Sequence, residues 1–76
     1  MNVADNTMVI LPEKIKMIRK KIGLNQVKFA KLLNVSTIAV QQWEQGGRNP
    51  TGPTQILLEL LEKDPSILAD RLTTHS

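Results

Sequence analysis

The segment GLNQVKFAKLLNVSTIAVQQWEQGG, residues 23–47, contains the strongest indications of the fold. It contains start and stop signals for two short helices. Asn25 and Ser36 are residue types that accept backbone N–H bonds at a helix N-terminus. Asn34 tolerates the left-handed conformation in which many helices end, and Gly46 favours it. The sequence therefore predicts a helix, a turn of about three residues and a second helix.

The second helix of this pair has two chemically different sides. At about 100° per residue, Val40 and Trp43 fall on one side, which predicts the face that packs inward. The opposite side contains no Lys or Arg and consists of Thr37, Ile38, Gln41, Gln42 and Gln45. One interpretation is an ordinary surface helix, since single exposed apolar side chains are common. The other interpretation is a face that enters the major groove of DNA.

The side chains on this face suit the chemistry of base edges. Glutamine can bond bidentately to adenine, hydroxyl groups can bond either bases or phosphates, and an apolar side chain can contact a thymine methyl group. Lys and Arg attract any phosphate, so their absence would leave this face to sense sequence. Neighbouring segments would then supply the positive charge that holds the domain on DNA.

The charge distribution fits this division. Residues 13–48 contain eight Lys or Arg and two Glu, a net charge of +6, whereas residues 49–76 have a net charge of −2. A basic middle and an acidic end suggest two surfaces with different partners, and a phosphate backbone is the usual polyanion for the first. The alternative is a solvated charged face on the first helix.

The composition limits the other classes of function. The chain has 76 residues, no Cys and a single His at position 75, so we expect one small domain with no disulfide, no metal and no cofactor. Few nucleophiles are present, and His75 falls in a predicted frayed tail, so we do not expect an enzyme. No apolar run approaches the roughly 20 residues that span a membrane. We therefore expect a cytoplasmic protein.

The remaining segments complete an all-α prediction. Pro12 and Gly23 mark the two ends of a first helix. Pro53 opens a fourth helix with an apolar face made of Ile56, Leu57, Leu60 and Leu61, which Leu58 widens. Asp64 and Pro65 then predict a short fifth helix containing Ile67, Leu68 and Leu72. The fold expected is a compact five-helix, repressor-like helix-turn-helix domain over residues 12–72. Residues 1–11 are predicted to form an extended or partly ordered arm and residues 73–76 a frayed tail.

The segment GLNQVKFAKLLNVSTIAVQQWEQGGRNPTGP, residues 23–53, resembles the helix-turn-helix domain of phage-repressor and Xre-type regulators. The resemblance extends over roughly residues 12–63. It lies in the constrained positions of that motif, which are Gln26, Ala30, Asn34, Val40 and Trp43.

This resemblance implies roles at individual positions. Members of the family use the matching positions to bind DNA, which here are Gln26, Ser36, Thr37, Ile38, Gln41, Gln42 and Arg48. Among them, Thr37, Ile38 and Gln42 would meet base edges, and Ser36 and Gln41 would flank them. Gln26 would bond a phosphate at its helix N-terminus, and Arg48 would reach the DNA backbone. Lys28 and Lys31 would contribute long-range attraction.

The family also implies one structural ion pair. An Arg on the first helix commonly pairs with the Glu that follows the last core position of the recognition helix, and Arg19 and Glu44 occupy those places. Glu44 also falls close to the predicted buried side of its helix, which independently suggests a partner.

A narrower resemblance suggests a further partner. The elements QQWEQGGRNPTGP and LLELLEKDP are similar to those of HigA-type antitoxin regulators. Such proteins bind their own operator as homodimers, usually as autorepressors, and hold a ribonuclease toxin of the RelE/HigB type. The alternatives are a plain phage or bacterial Xre-type repressor without a toxin partner, and a protein-interaction module that dimerises through the fourth and fifth helices. The homodimer contact is predicted from Leu58, Leu61, Ile67, Leu68 and Leu72.

Overall fold

The computed structural model describes residues 10–68, and within this range the fold is all-helical with no strand. Its four helices are α1 (Pro12–Ile22), α2 (Gln26–Leu33), α3 (Thr37–Gln45) and α4 (Gly52–Lys63). The all-α prediction is confirmed for this part of the chain. The predicted arm and tail lie almost entirely outside the described residues.

The prediction of a fifth helix is not supported. Residues 65–68 form a turn, in which the backbone N–H of Ile67 donates to the carbonyl oxygen of Asp64 at 3.0 Å. The side chain of Asp64 accepts from both the backbone N–H and the hydroxyl of Ser66, at 3.1 and 2.6 Å. The Asp64 carboxylate, which the sequence predicts to cap a fifth helix, therefore closes a local turn, as Asp side chains commonly do. Leu72 lies outside the described residues.

The predicted boundaries around the central turn are confirmed. The Asn25 side chain accepts the N–H of Lys28 at 2.8 Å, and the Ser36 hydroxyl accepts the N–H of Ala39 at 3.0 Å. Asn34 has a φ of 62° and ends α2 in the left-handed region. Each cap satisfies backbone groups that a helix end leaves without partners, so local sequence fixes how α2 is followed by α3.

The core is formed where the helices meet. Its largest fully buried side chains are Ile15, Ile18, Phe29, Val40, Leu58 and Leu61. α3 packs against both α2 and α1, while α4 packs against α1. Val40 is fully buried and Trp43 is only 4% exposed, so the predicted inner side of α3 is confirmed.

The predicted apolar face of α4 is wrong in part. Leu58 and Leu61 point inward, with exposures of 0% and 1%, whereas Ile56 and Leu60 are 60% and 40% exposed. Because Leu58 and Leu61 are buried in the core of their own chain, they are not accessible for the predicted homodimer contact. Ile67 is exposed and Leu68 packs against the core while partly buried.

Side-chain bonds hold the loop between α3 and α4. Gln55 of α4 is buried, and its Nε2 donates to the carbonyl oxygen of Pro50 at 2.8 Å. Asn49 accepts the backbone N–H of Ile10 at 3.3 Å through its Oδ1. The loop is therefore tied both to α4 and to the segment that precedes α1.

The role of Gly46 in ending α3 can be tested by substitution. Gly46 has a φ of 85°, and a Cβ added there would lie 3.6 Å from Pro12 Cγ, which is ordinary contact. The cost of Gly46→Ala should thus be conformational, about 1 kcal/mol of unfolding free energy, measured by urea denaturation. Gly47→Ala is the matched control, since Gly47 lacks a positive φ in the structure. Equal losses in the two variants would contradict this account.

Candidate nucleic-acid interface

The outer face of α3 stands open in the described part of the chain. Ile38 is 63% exposed, Gln41 and Gln45 are exposed, and Thr37 and Gln42 are half-buried. The structure therefore brings together the predicted base-reading side chains on one face of one helix. Ser36, which caps α3 through its hydroxyl, is exposed at the start of the same face.

The opposite side of α3 is anchored by a buried carboxylate. Glu44 is only 5% exposed, and Arg19 of α1 binds it through two nitrogens of its guanidinium group. Arg19 Nε donates to Glu44 Oε2 at 2.7 Å, and Arg19 Nη2 donates to Oε1 at 3.0 Å. Arg19 Nη1 also donates to the carbonyl oxygen of Leu24 at 3.1 Å. The pair therefore joins α1, the segment before α2 and α3.

Gln26 contributes a third bond to the same carboxylate. Its Nε2 donates to Glu44 Oε1 at 3.0 Å, a contact between α2 and α3 that the sequence did not reveal. The amide nitrogen carries two N–H groups, and Gln26 is the first residue of α2, where the helix dipole favours an anion. The contact with Glu44 thus orients Gln26 without using all its capacity to donate.

The environment keeps Glu44 ionised. Burial of the carboxyl group opposes ionisation, but hydrogen bonds from Arg19 and Gln26 and the charges of Arg19 and Lys16 outweigh it. The pKa of Glu44 therefore lies below its ordinary value of 4.5. The hydrogen bond to Glu44 likewise raises the pKa of Arg19, so both members stay charged near neutral pH.

Arg48 lies against Gln42 on the outer face of α3. Its Nη1 donates to Gln42 Oε1 at 3.1 Å, and the backbone N–H of the preceding Gly47 donates to the carbonyl oxygen of Gln42 at 3.0 Å. The prediction placed Arg48 beside the DNA backbone and did not foresee a bond to Gln42. The left-handed Gly46 is the signal that could have revealed it, because such a helix end turns the chain back over its last turn.

Two lysines of α2 are exposed and form no ion pair within residues 10–68. Within residues 10–68 the ion pairs are Arg19–Glu44 and the exposed pair Lys14–Glu62, 3.2 Å apart. Lys28 and Lys31 on α2 are exposed and take part in neither. Their charges are available to attract a polyanion.

The described residues show neither a metal site nor a membrane span. No group of three or more His, Cys, Asp or Glu side chains in this range is placed to hold a metal ion. No helix in the same range is long and apolar enough to cross a bilayer.

The short turn between α2 and α3, together with the buried inner and open outer sides of α3, defines a helix-turn-helix unit. Comparison with known proteins places the unit in a family. The family model described as the antitoxin component of a bacterial toxin-antitoxin system, MqsA, matches residues 1–71. The chain therefore belongs to the MqsA antitoxin family.

Three individual relatives are two antitoxins and one phage repressor. Antitoxin HigA-2 of Vibrio cholerae serotype O1 is 35% identical over 60 residues, which are 79% of this chain and 58% of that protein. Repressor protein C2 of Salmonella phage P22 is 32% identical over 78% of this chain and 28% of its own length. Antitoxin MqsA of Escherichia coli K12 is 32% identical over 83% of this chain and 48% of its own. The chain thus spans less than two thirds of each of these relatives.

The buried ion pair generates a stability prediction. Glu44→Gln would leave the Arg19 charge without its counter-ion, which should cost about 3 kcal/mol of unfolding free energy. Glu62→Gln is the matched control, because Lys14–Glu62 is an exposed pair and should cost less than about 1 kcal/mol. Denaturant unfolding of both variants at neutral pH measures the two losses, and losses of equal size would contradict the assigned role.

The same pair predicts a pH dependence with a definite sign. Since the pKa of Glu44 is lowered in the folded state, its contribution is complete above about 4.5 and is lost as the pH falls through the lowered value. The stability difference between the wild-type chain and Glu44→Gln should accordingly shrink in acid. A difference that stays constant down to about pH 2 would show that the carboxylate charge is not its source.

Proposed function

We propose that the chain is a sequence-specific regulator of transcription that binds double-stranded DNA with α3 in the major groove. The outer face of α3 is the observation that carries this proposal. It is open in the described structure, holds polar and apolar side chains suited to base edges, and contains no positive charge. The major groove admits an α-helix, and the first residues of such a helix are the ones that meet the bases.

The proposed contacts are of two kinds, those to base edges and those to the DNA backbone. Thr37, Ile38 and Gln42 would read base edges, with Ile38 against a thymine methyl group, and Ser36 and Gln41 would flank them. The backbone contacts would come from Gln26 at the N-terminus of α2 and from Arg48. Lys28 and Lys31 would add attraction that depends on salt but not on sequence.

Membership of an antitoxin family supports a role in a toxin-antitoxin pair. The chain would then repress its own operator in the cytoplasm, where bacterial DNA lies, and bind a ribonuclease toxin of the RelE/HigB type. A reading frame for a small ribonuclease beside the gene would support this partner. The similarity to the P22 repressor supports the alternative of a regulator that acts without a toxin.

A homodimer would bring two copies of α3 to one operator. Leu58 and Leu61 are occupied in the core, so the contact would instead use the outer side chains of the C-terminal half, namely Ile56, Leu60 and Ile67, which are 60%, 40% and 42% exposed. These exposed apolar side chains also support a second candidate function, that of a protein-interaction module. In a dimeric regulator, the two recognition helices would lie about 34 Å apart, one turn of DNA.

Binding to selected DNA tests the reading face. Duplexes enriched from a randomised library serve as the specific probe. Gln42→Ala should weaken specific binding by about 1–3 kcal/mol while binding to unrelated DNA persists, because the lost contact is to a base. Thr37→Ala should also change the preferred sequence.

Two control variants separate reading from general binding. Gln45→Ala removes the same side chain from the far end of α3 and should leave the preferred sequence unchanged. Lys31→Ala should weaken all binding alike and reduce its salt dependence. If neither Gln42→Ala nor Thr37→Ala changes specificity, another surface reads the DNA.

Oligomeric state provides a separate prediction. Sedimentation of the chain with its selected duplex should show two copies per operator, and Leu60→Glu should reduce this to one, because a charge would replace apolar contact area. Glu59→Gln is the neighbouring control and should leave the stoichiometry unchanged. A single copy on the DNA for the wild-type chain would remove the basis for the proposed dimer.

A further inference from the structure

The bond between Arg48 and Gln42 fixes which way the Gln42 amide faces. A guanidinium group has only N–H donors and no acceptor. The amide oxygen of Gln42 must therefore be the atom that faces Arg48 Nη1, 3.1 Å away. It follows that the amide –NH2 of Gln42, a pure donor, is turned away from the loop.

The backbone supports this contact independently of the side chains. Gly46 ends α3 with a φ of 85°, and the N–H of Gly47 then bonds the carbonyl oxygen of Gln42 at 3.0 Å. Gly47 bonds the backbone of Gln42 and Arg48 bonds its side chain. The reversal of the chain after α3 therefore places Arg48 beside Gln42. Beyond Arg48, the bond from Gln55 Nε2 to the Pro50 carbonyl oxygen, 2.8 Å long, holds the loop to α4.

We propose that Arg48 is a positioning residue that sets the base specificity of Gln42. This inference rests on the proposed function, because it concerns how the same face of α3 reads DNA. A glutamine without a neighbour can turn its amide by 180° and present either an acceptor or a donor to a base. Held by Arg48, Gln42 presents its –NH2 and requires an acceptor.

The consequence for sequence is specific. In the major groove the purine N7, guanine O6 and thymine O4 are acceptors, whereas cytosine presents its N4 amino group, a donor. On the strand that Gln42 faces, guanine should therefore be accepted and cytosine excluded, so a G·C pair should be distinguished from the same pair inverted. The bond also orders the side chain before DNA arrives, so less conformational freedom is lost on binding.

This role differs measurably from a simple phosphate contact by Arg48. Loss of a phosphate contact weakens binding to all sequences alike and lowers the salt dependence. Loss of a positioning residue changes the preference at one base pair and leaves the other positions as they were. Arg48 is exposed and Gln42 is half-buried, so substitution of either leaves the core intact.

The experiment is selection from a randomised duplex library with the wild-type chain and four variants. These are Gln42→Ala, Arg48→Ala, the double variant and Lys31→Ala, the last a control that also removes one exposed cation. Circular dichroism confirms that each is folded before selection. Gln42→Ala identifies the position that depends on Gln42, and binding to two duplexes that differ only by inversion of a G·C pair there gives the discrimination against cytosine.

We expect the wild-type chain to bind one orientation of the G·C pair more tightly than the other, and Arg48→Ala to lose at least about fivefold of this discrimination. The double variant should show the same base preference as Gln42→Ala, because Arg48 acts through Gln42. Lys31→Ala should lower affinity without changing the preference.

Three results would overturn the inference while leaving the proposed function intact. These are equal wild-type affinity for the two orientations of a G·C pair at the position, an Arg48→Ala variant that weakens all sequences equally, and a Gln42→Ala variant that alters no position. Failure of the folded wild-type chain to enrich any sequence would instead overturn the proposed function, and the inference with it.

Discussion

The carboxylate of Glu44 is the group on which the arrangement of the helices depends. It is buried in α3, and it accepts bonds from Arg19 of α1 and Gln26 of α2. A buried carboxylate without such partners would be strongly unfavourable, so the three helices must meet in one relative orientation for the charge to be compensated. Apolar packing alone tolerates small shifts, whereas a bidentate arginine contact requires defined directions.

This anchoring has an effect on the opposite side of α3. Val40, Trp43 and Glu44 occupy the inner side of the helix, whereas Ile38 and Gln41 are exposed on the outer side. Substitution of these exposed side chains should therefore leave the fold unchanged. In the proposed function this separation allows one scaffold to present different reading surfaces, which agrees with the general observation that function is carried by sites placed on common folds.

The elements that could be predicted from the sequence are those that local chemistry determines. Asn25, Ser36 and Gly46 act on their own or adjacent turns, so their capping roles follow from residue type and position. The α4 face was only partly predictable, because Leu and Ile occupy so many of its positions that helical periodicity does not distinguish the inner side from the outer. Asp64 followed by Pro65 was ambiguous for a different reason, since the same Asp side chain can cap a helix or close a turn.

The site was predictable to a similar extent. The outer face of α3 followed from its residue pattern, and the pairing of Arg19 with Glu44 followed from a family resemblance supported by the helical position of Glu44. The bond from Gln26 to Glu44 joins residues 18 positions apart on different helices, and no local rule links them. The bond from Arg48 to Gln42 could have been anticipated only by treating the left-handed glycine as a reversal of the chain and not merely as the end of a helix.

The loop after α3 is held from both sides. Gly46 ties its beginning to α3, and Gln55 ties Pro50 to α4. The segment that maintains this surface therefore includes the loop as well as α3. A recognition helix transplanted into another scaffold without residues 46–55 would keep its outer side chains but lose the support that places Arg48 beside them. In exchanges of specificity between relatives, the loop and the first turn of α4 should be transferred together with α3.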